Sequence, residues 1–181
     1  MKRPLTLLLA LIVVSITLSC AQKQSNQTNP RELSEEEARI EAVLKRAAFQ
    51  DMDGGEVYLS DFAGKVVLID FWETWCGPCL QVFPAMDSLK NEYGNDFAVL
   101  AVNTLTADER EDVAEFVTEN GYDFTFSLDV NDVGAEVISL GIPFKVFIDP
   151  DGFLIKAELG SAGTEGDYLK AKTIIEDNKE S

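Results

Sequence analysis

The stretch Asp70–Pro84, DFWETWCGPCLQVFP, decides how the chain is to be read. Its two cysteines, Cys76 and Cys79, bracket Gly77-Pro78 a few residues after the apolar run Val66-Val67-Leu68-Ile69. A continuous β-branched run suits a central strand buried on both faces, so the pair is expected where a buried strand, ending at Asp70, gives way to a helix. Three roles compete for it: a staple, a metal site, or electron exchange. A structural zinc site needs four ligands, and the chain has no histidine and no second cysteine pair. A disulfide between residues three apart removes little entropy from the unfolded chain, because that stabilisation grows with loop length. Electron exchange has a positive mechanism. At a helix N-terminus unpaired N–H groups and the macrodipole favour a negative sulfur, and Pro78 suits the first turn, where its missing N–H costs nothing. Such placement lowers a thiol pKa from about 8.5 to roughly 3.5–7.5. Cys76 is then the expected attacking thiolate, and Cys79, one turn deeper, resolves the mixed disulfide.

Composition narrows the remaining chemistry. The chain has 181 residues, 46% of them hydrophobic, enough for one domain with a real core, and a formal charge of −17. Phosphate backbones and anionic membranes repel such a body, so no nucleic-acid partner is expected. The absence of histidine removes Ser-His and Cys-His catalysis and haem attachment through Cys-x-x-Cys-His. The third cysteine has its own explanation. Lys2 and Arg3, the apolar stretch Leu5–Leu18 and small Ser19 read as a secretory signal peptide over residues 1–19, too short for a comfortable membrane span. The local ITLSC, residues 16–20, resembles a bacterial lipoprotein signal that would lipidate Cys20, with Thr17 where such signals usually carry Leu; plain secretion and an uncleaved anchor are the alternatives. Residues 20–33, rich in Gln and Asn, read as a flexible tether, leaving 34–181 as the domain.

Along that domain, Ser34 with Glu37 fits a capping box, followed at helical spacing by Ile40, Val43, Leu44 and Ala47. This helix is expected either to pack on the domain edge or to extend the tether. Asp53-Gly54-Gly55 predicts a hairpin turn. Further buried strands are expected at Phe97–Val102 and Lys145–Ile148, and helices at Cys76–Tyr93, Asp108–Asn120, Asp132–Leu140 and Asp167–Asp177. Thr106 with Glu109 offers a second capping box, and Asp149–Gly152, DPDG, a tight turn into the strand Phe153–Ile155. Strands alternating with helices and closing on a hairpin predict an α/β domain with a mixed sheet.

The segment Val67–Cys79, VLIDFWETWCGPC, resembles the active-site segment of the thioredoxin superfamily. Separated features agree: Pro84 lies eight residues after Cys76, where thioredoxin-like helices kink; Gly141–Phe144, GIPF, matches the family's cis-proline loop; Phe147–Leu154, FIDPDGFL, matches its closing hairpin. The opening Phe49–Trp72 resembles the membrane-anchored, periplasm-facing TlpA/ResA-like thiol-disulfide reductases, which carry an extra helix-containing insertion where residues 105–130 stand here. The resemblance implies a thioredoxin-like fold with a central mixed sheet flanked by helices, an N-terminal β-hairpin and that insertion. It implies no cofactor, protein thiol or disulfide clients with cytochrome c maturation among them, a membrane electron donor, lipid anchorage through Cys20 in the bacterial cell envelope, and a monomer. Gly77-Pro78 between the cysteines resembles thioredoxin and points toward reduction.

Residue roles follow from the same resemblance. Asp70 would lie beneath the disulfide, partly buried, and accept the Cys79 proton through water, its pKa raised by burial. Pro143 is the candidate cis residue facing the disulfide. Ile142 would offer its backbone N–H and C=O to an extended client segment, and Trp75, with Gly77 and Pro78, would line the docking surface. Trp72 is either docking surface or core, and Glu73 either tunes Cys76 or is an exposed loop acid. Three departures stand out: Phe144 replaces a frequent Thr, the segment before Pro143 is a residue short, and Phe97–Val102 lacks the lysine that accompanies thioredoxin's buried acid. Two rivals remain. A peroxidase would need a threonine three residues before Cys76, where Glu73 stands; a noncatalytic envelope lipoprotein would bind a partner through Ile142–Phe144 with its disulfide idle.

Overall fold

The central strand β3 runs Val66–Trp72, and all seven of its residues are buried, as a β-branched run needs when both faces of the sheet are covered. The structure, a computed structural model, describes residues 32–179. The expected signal peptide, Cys20 and nearly all of the tether lie outside the described residues.

Strand β3 pairs parallel with β4 (Phe97–Asn103) and antiparallel with β6 (Phe144–Ile148). The first hairpin forms from β1 (Ala48–Asp51) and β2 (Glu56–Tyr58); with β5 (Thr125–Leu128) and β7 (Leu154–Leu159) the seven strands lie in the order β2-β1-β5-β4-β3-β6-β7. In the first turn the Asp51 carboxylate accepts the N–H groups of Asp53 and Gly55, and Gly54 takes φ +93°. In the last, the Asp149 carboxylate accepts those of Asp151 and Phe153.

Side-chain alternation along β3 sorts the core into two layers. Val67, Ile69 and Phe71 face a cluster holding Ile40, Val43 and Leu44 of α1 (Glu35–Arg46) and Val133 and Val137 of α5 (Val133–Val137). Val66, Leu68 and Trp72 face the other cluster, which holds both cysteines, Phe83, Met86 and Leu89 of α3 (Phe83–Tyr93), Val113 of α4 (Arg110–Asn120), and Ala171 and Ile175 of α6 (Gly163–Asn178). Asp70 has the parity of this second layer.

Several expectations are corrected. Strand β3 runs on past Asp70 to Trp72, because the ladders with β4 and β6 continue beyond it. The helix expected over Cys76–Tyr93 is two, α2 (Gly77–Leu80) and α3, since Pro84 has no N–H for the carbonyl of Leu80. Strand β5 lies inside the segment read as a helix-containing insertion; its four residues are too few to display a period. The box expected at Thr106 and Glu109 is displaced: Thr106 N–H donates to Glu73 at 2.8 Å, while Glu109 N–H donates to Asp112 at 2.8 Å at the true start of α4. Helix α5 stops at Val137, leaving Leu140 84% exposed, and α6 begins four residues early, at Gly163.

The capping box at Ser34 forms with Glu37, and α1 buries its apolar stripe against the sheet and α5, so it is part of the domain's core. Leu44→Ala should therefore lower unfolding free energy by about 2–5 kcal/mol in denaturant titration; a helix merely extending a tether would give no change.

Candidate active site

Cys76 and Cys79 form a disulfide in which Cys76 keeps 3% of its surface exposed and Cys79 none. Cys76 is the N-cap of α2: its sulfur accepts the Cys79 N–H at 3.3 Å and its carbonyl accepts the Leu80 N–H at 3.1 Å. Gly77 and Pro78 are exposed, Pro78 in the first turn.

Two buried acids brace the loop behind it. Glu73 is not an exposed loop acid; it is fully buried. Its carboxylate accepts the Trp75 indole N–H at 2.5 Å, the Thr106 N–H at 2.8 Å, the Ala107 N–H at 3.1 Å and the Thr104 hydroxyl. Burial pushes its pKa up, but these donors outweigh burial and hold the carboxylate below its ordinary value. Asp108 mirrors it, accepting the Thr74 N–H at 2.6 Å, the Thr74 hydroxyl at 2.7 Å and the Asn103 amide at 2.7 Å. The loop before Cys76 is thus tied to the loop after β4. Glu73 anchors the indole of Trp75 while 63% of that residue faces solvent. Trp72 is core: its ring packs against Phe83 and Phe116 at centroid distances of 5.0 and 4.7 Å.

Ile142–Pro143 is the cis peptide among the described residues, Pro143 is buried, and Ile142 packs against both core layers, including the one that holds the disulfide. Phe144, where the family often has Thr, turns into the opposite layer and meets Phe71. Beside Trp75 a groove of about 310 Å³ opens, lined among others by Ile138, Gly141 and Ile142 and by the carboxylates of Asp129 and Asp132.

Asp70 is fully buried, and neither carboxyl oxygen has a hydrogen-bond partner. Burial raises its pKa well above the ordinary aspartate value, with Lys145 opposing and Asp167 adding to the rise. Lysine is indeed missing from β4, but one arrives from the other side: Lys145 of β6 is the register partner of Asp70. Sequence reasoning passed over Lys145, Asp167 and Asp108. The available signal was Phe144–Ile148, FKVFI, in which a lone cation interrupts a buried strand.

The thioredoxin domain of a thiol-disulfide oxidoreductase from Bacteroides vulgatus has the same architecture, with a TM-score of 0.61 at 27% identity over 71% of this chain and 92% of that one. Thiol-disulfide oxidoreductase ResA of Bacillus thuringiensis subsp. konkukian is 33% identical over 146 residues, 77% of this chain and 82% of that protein. Thioredoxin-like protein YneN of Bacillus subtilis is 33% identical over 116 residues, 63% of this chain and 68% of that one. With the disulfide at its strand–helix junction, the molecule is a TlpA/ResA-like thiol-disulfide oxidoreductase of the thioredoxin superfamily. A family model described as Redoxin matches residues 37–175, and the chain belongs to that family.

A carboxyl whose pKa is raised on folding contributes stability that is full below its unfolded value, about 3.9, and is lost as pH rises toward the raised folded value. Across that window stability falls by about 1.4 kcal/mol per pH unit on this account alone. Asp70→Asn removes the titration. Its stability relative to the parent protein should grow steadily from pH 4 upward in urea titrations of the oxidised form; a gap independent of pH would mean that Asp70 ionises as it does in the unfolded chain.

Proposed function

We propose that this oxidoreductase reduces disulfides of client proteins in the bacterial cell envelope, with Cys76 as nucleophile, Cys79 as resolving thiol and Asp70 as proton acceptor. The observation that carries this reading is the disulfide itself, exposed only at Cys76 and set in the core layer that Asp70 faces. In the reduced enzyme the Cys76 thiolate attacks one sulfur of a client disulfide; a Cys76–client bond forms, the client S–S bond breaks, and the released client thiolate takes a proton from solvent. Cys79 then gives its proton to Asp70 through water and attacks the Cys76 sulfur. The Cys76–Cys79 bond forms and the client leaves as a thiolate that is protonated in turn. Two electrons have passed to the client, and a dithiol donor at the membrane returns them. A raised pKa suits Asp70 to this task, because proton transfer from a thiol is easiest when acceptor and donor affinities are close.

The client segment is taken to lie extended against the backbone of Ile142, beside Pro143, with Trp75, Gly77 and Pro78 at its edge. The groove beside Trp75 and Ile142 supports this docking mode. Residues 1–19 act as signal peptide, lipid on Cys20 holds the protein to a membrane, and residues 20–33 lift the monomeric domain from it. Among clients we count apocytochrome c, the class carried over from the resemblance.

Potentials of related folds run from about −270 mV in thioredoxin to about −120 mV in a strong oxidant, a spread of roughly 7 kcal/mol that is enough to reverse the direction of flow. Equilibration with glutathione should put this protein near the thioredoxin end, and a value near −120 mV would overturn the assignment as a reductase. Cys79→Ser should trap clients as mixed disulfides through Cys76, and Cys76→Ser should abolish both trapping and insulin reduction. Insulin reduction that survives in Cys76→Ser would remove Cys76 from the mechanism.

A further inference from the structure

On the face of the sheet beneath the disulfide, one cross-strand row reads Ala101 of β4, Asp70 of β3, Lys145 of β6 and Glu158 of β7, each directly opposite the next. Directly opposed residues of an antiparallel pair carry their Cβ atoms about 4.5–5.5 Å apart, so the Lys145 side chain rises beside that of Asp70 from the same face. Lys145 is buried to 1% exposure. A buried ammonium is retained only where its partners are well placed, and two are: Asp167 Oδ1 of α6 at 2.6 Å and Glu158 Oε1 at 2.9 Å. The cation is locked from behind. Asp167 also accepts the Ser161 hydroxyl at 2.5 Å and the Ala162 N–H at 3.2 Å, and Glu158 also holds Lys156 at 3.0 Å and Lys170 at 3.8 Å.

Among the described residues, the charges that act on Asp70 are those of Lys145 and Asp167. The neighbour of Asp70 on β4 is Ala101, its own strand offers Leu68 and Trp72 on that face, α3 buries Phe83, Ala85, Met86 and Leu89, and α2 presents the disulfide. The ionisation of Asp70 is therefore answerable to one small cluster, in which the buried cation Lys145 is shared between two carboxylates, one of them also bridged to Lys156 and Lys170 at its outer side.

We propose that Lys145, clamped between Asp167 and Glu158, is the positioning cation of the reaction: its charge, fixed one strand away from Asp70, governs how readily that carboxyl takes and releases the Cys79 proton. This rests on the proton-acceptor role assigned to Asp70 above. The signs follow from Coulomb's law. Without the ammonium, ionised Asp70 loses its one nearby positive charge and still faces Asp167, so its proton is held more tightly. Without the Glu158 charge, Lys145 is less neutralised, and ionised Asp70 is favoured. A side chain that merely filled space would not give opposite responses.

The test is the titration of the Asp70 carboxyl, followed by carbon NMR in the oxidised full-length protein, where neither Cys76 nor Cys79 titrates. Lys145→Met should move the midpoint up by about 1–3 pH units, the range for one adjacent charge; Glu158→Gln should move it down by a smaller amount. The pH profile of insulin reduction should shift in the same directions, about tenfold in rate per unit at a fixed pH on its rising limb. Midpoints that stay put, or move the same way in both variants, overturn the proposal. If Lys145→Met does not fold, Glu158→Gln, which leaves the Lys145–Asp167 bond in place, decides alone: a lowered midpoint supports the proposal, and an unmoved or raised one overturns it. Opposed midpoint shifts with an unmoved rate profile would uphold the effect of Lys145 on Asp70 and remove Asp70 from the exchange reaction instead.

Discussion

Everything at the site depends on the pairing of β3 between β4 and β6 in one register. Seven consecutive residues of β3 are buried, and because side chains alternate across a sheet, a slip of one residue would exchange every one of them between the two layers. Asp70 would then face α1 and α5, away from the cysteines, and Phe71 would face the disulfide. The register is secured by what each layer accepts. Val67, Ile69 and Phe71 fill a layer of mostly aliphatic and aromatic side chains, with the buried Ser127 in the row of Phe71 and Val102, while the other layer holds Asp70 in the row to which β6 and β7 bring Lys145 and Glu158. Hydrophobic sorting and electrostatic sorting thus choose the same register.

The acidity of the chain has two physical meanings. Most of the 32 acidic residues are solvated and keep the protein away from polyanions. A few are buried, and these are told apart by their donors. Glu73 gathers four donors and is held ionised as a structural clamp. Asp70 gathers none, and burial favours its neutral form. Two carboxylates three residues apart in sequence thereby take opposite protonation habits. Glu73 also bears on the peroxidase reading: its carboxylate, three residues before Cys76, is committed to bracing the loop.

How much of this could be read from the sequence follows from the range of the interactions. The buried run of β3, the helix start at Cys76, the box at Ser34 and the turn at DPDG are local, each written in a few adjacent residues, and each is found where expected. The cysteine pair is legible from its spacing and its place at a helix start, and the cis peptide before Pro143 through resemblance. Strand β5 is not legible in the sequence because Thr125–Leu128 takes its identity from β4 beside it and not from a period of its own. The N-terminus of α4 lies beyond the expected box because the Thr106 amide goes to Glu73, 33 residues away, in a bond no local rule anticipates. The Lys145 cluster draws on β6, β7 and α6, so only the folded chain brings it together.

The cluster also shows why such a site is kept despite its cost. A buried, unpartnered Asp70 and a buried Lys145 each oppose folding, and a disulfide spanning three residues returns little in chain entropy. Replacing the row by apolar residues of similar volume would be expected to raise stability. The layer beneath would accept them, since Leu68, Trp72 and Phe147 already surround it. What would be lost is a carboxyl shielded from solvent, with its proton affinity raised by burial and opposed by Lys145. Solvent would not supply that adjustment, because water screens a cation one strand away until its effect on Asp70 is small. Burial is what lets one lysine act on one aspartate, so the features that weaken the fold at this row are the same ones that make it usable for chemistry.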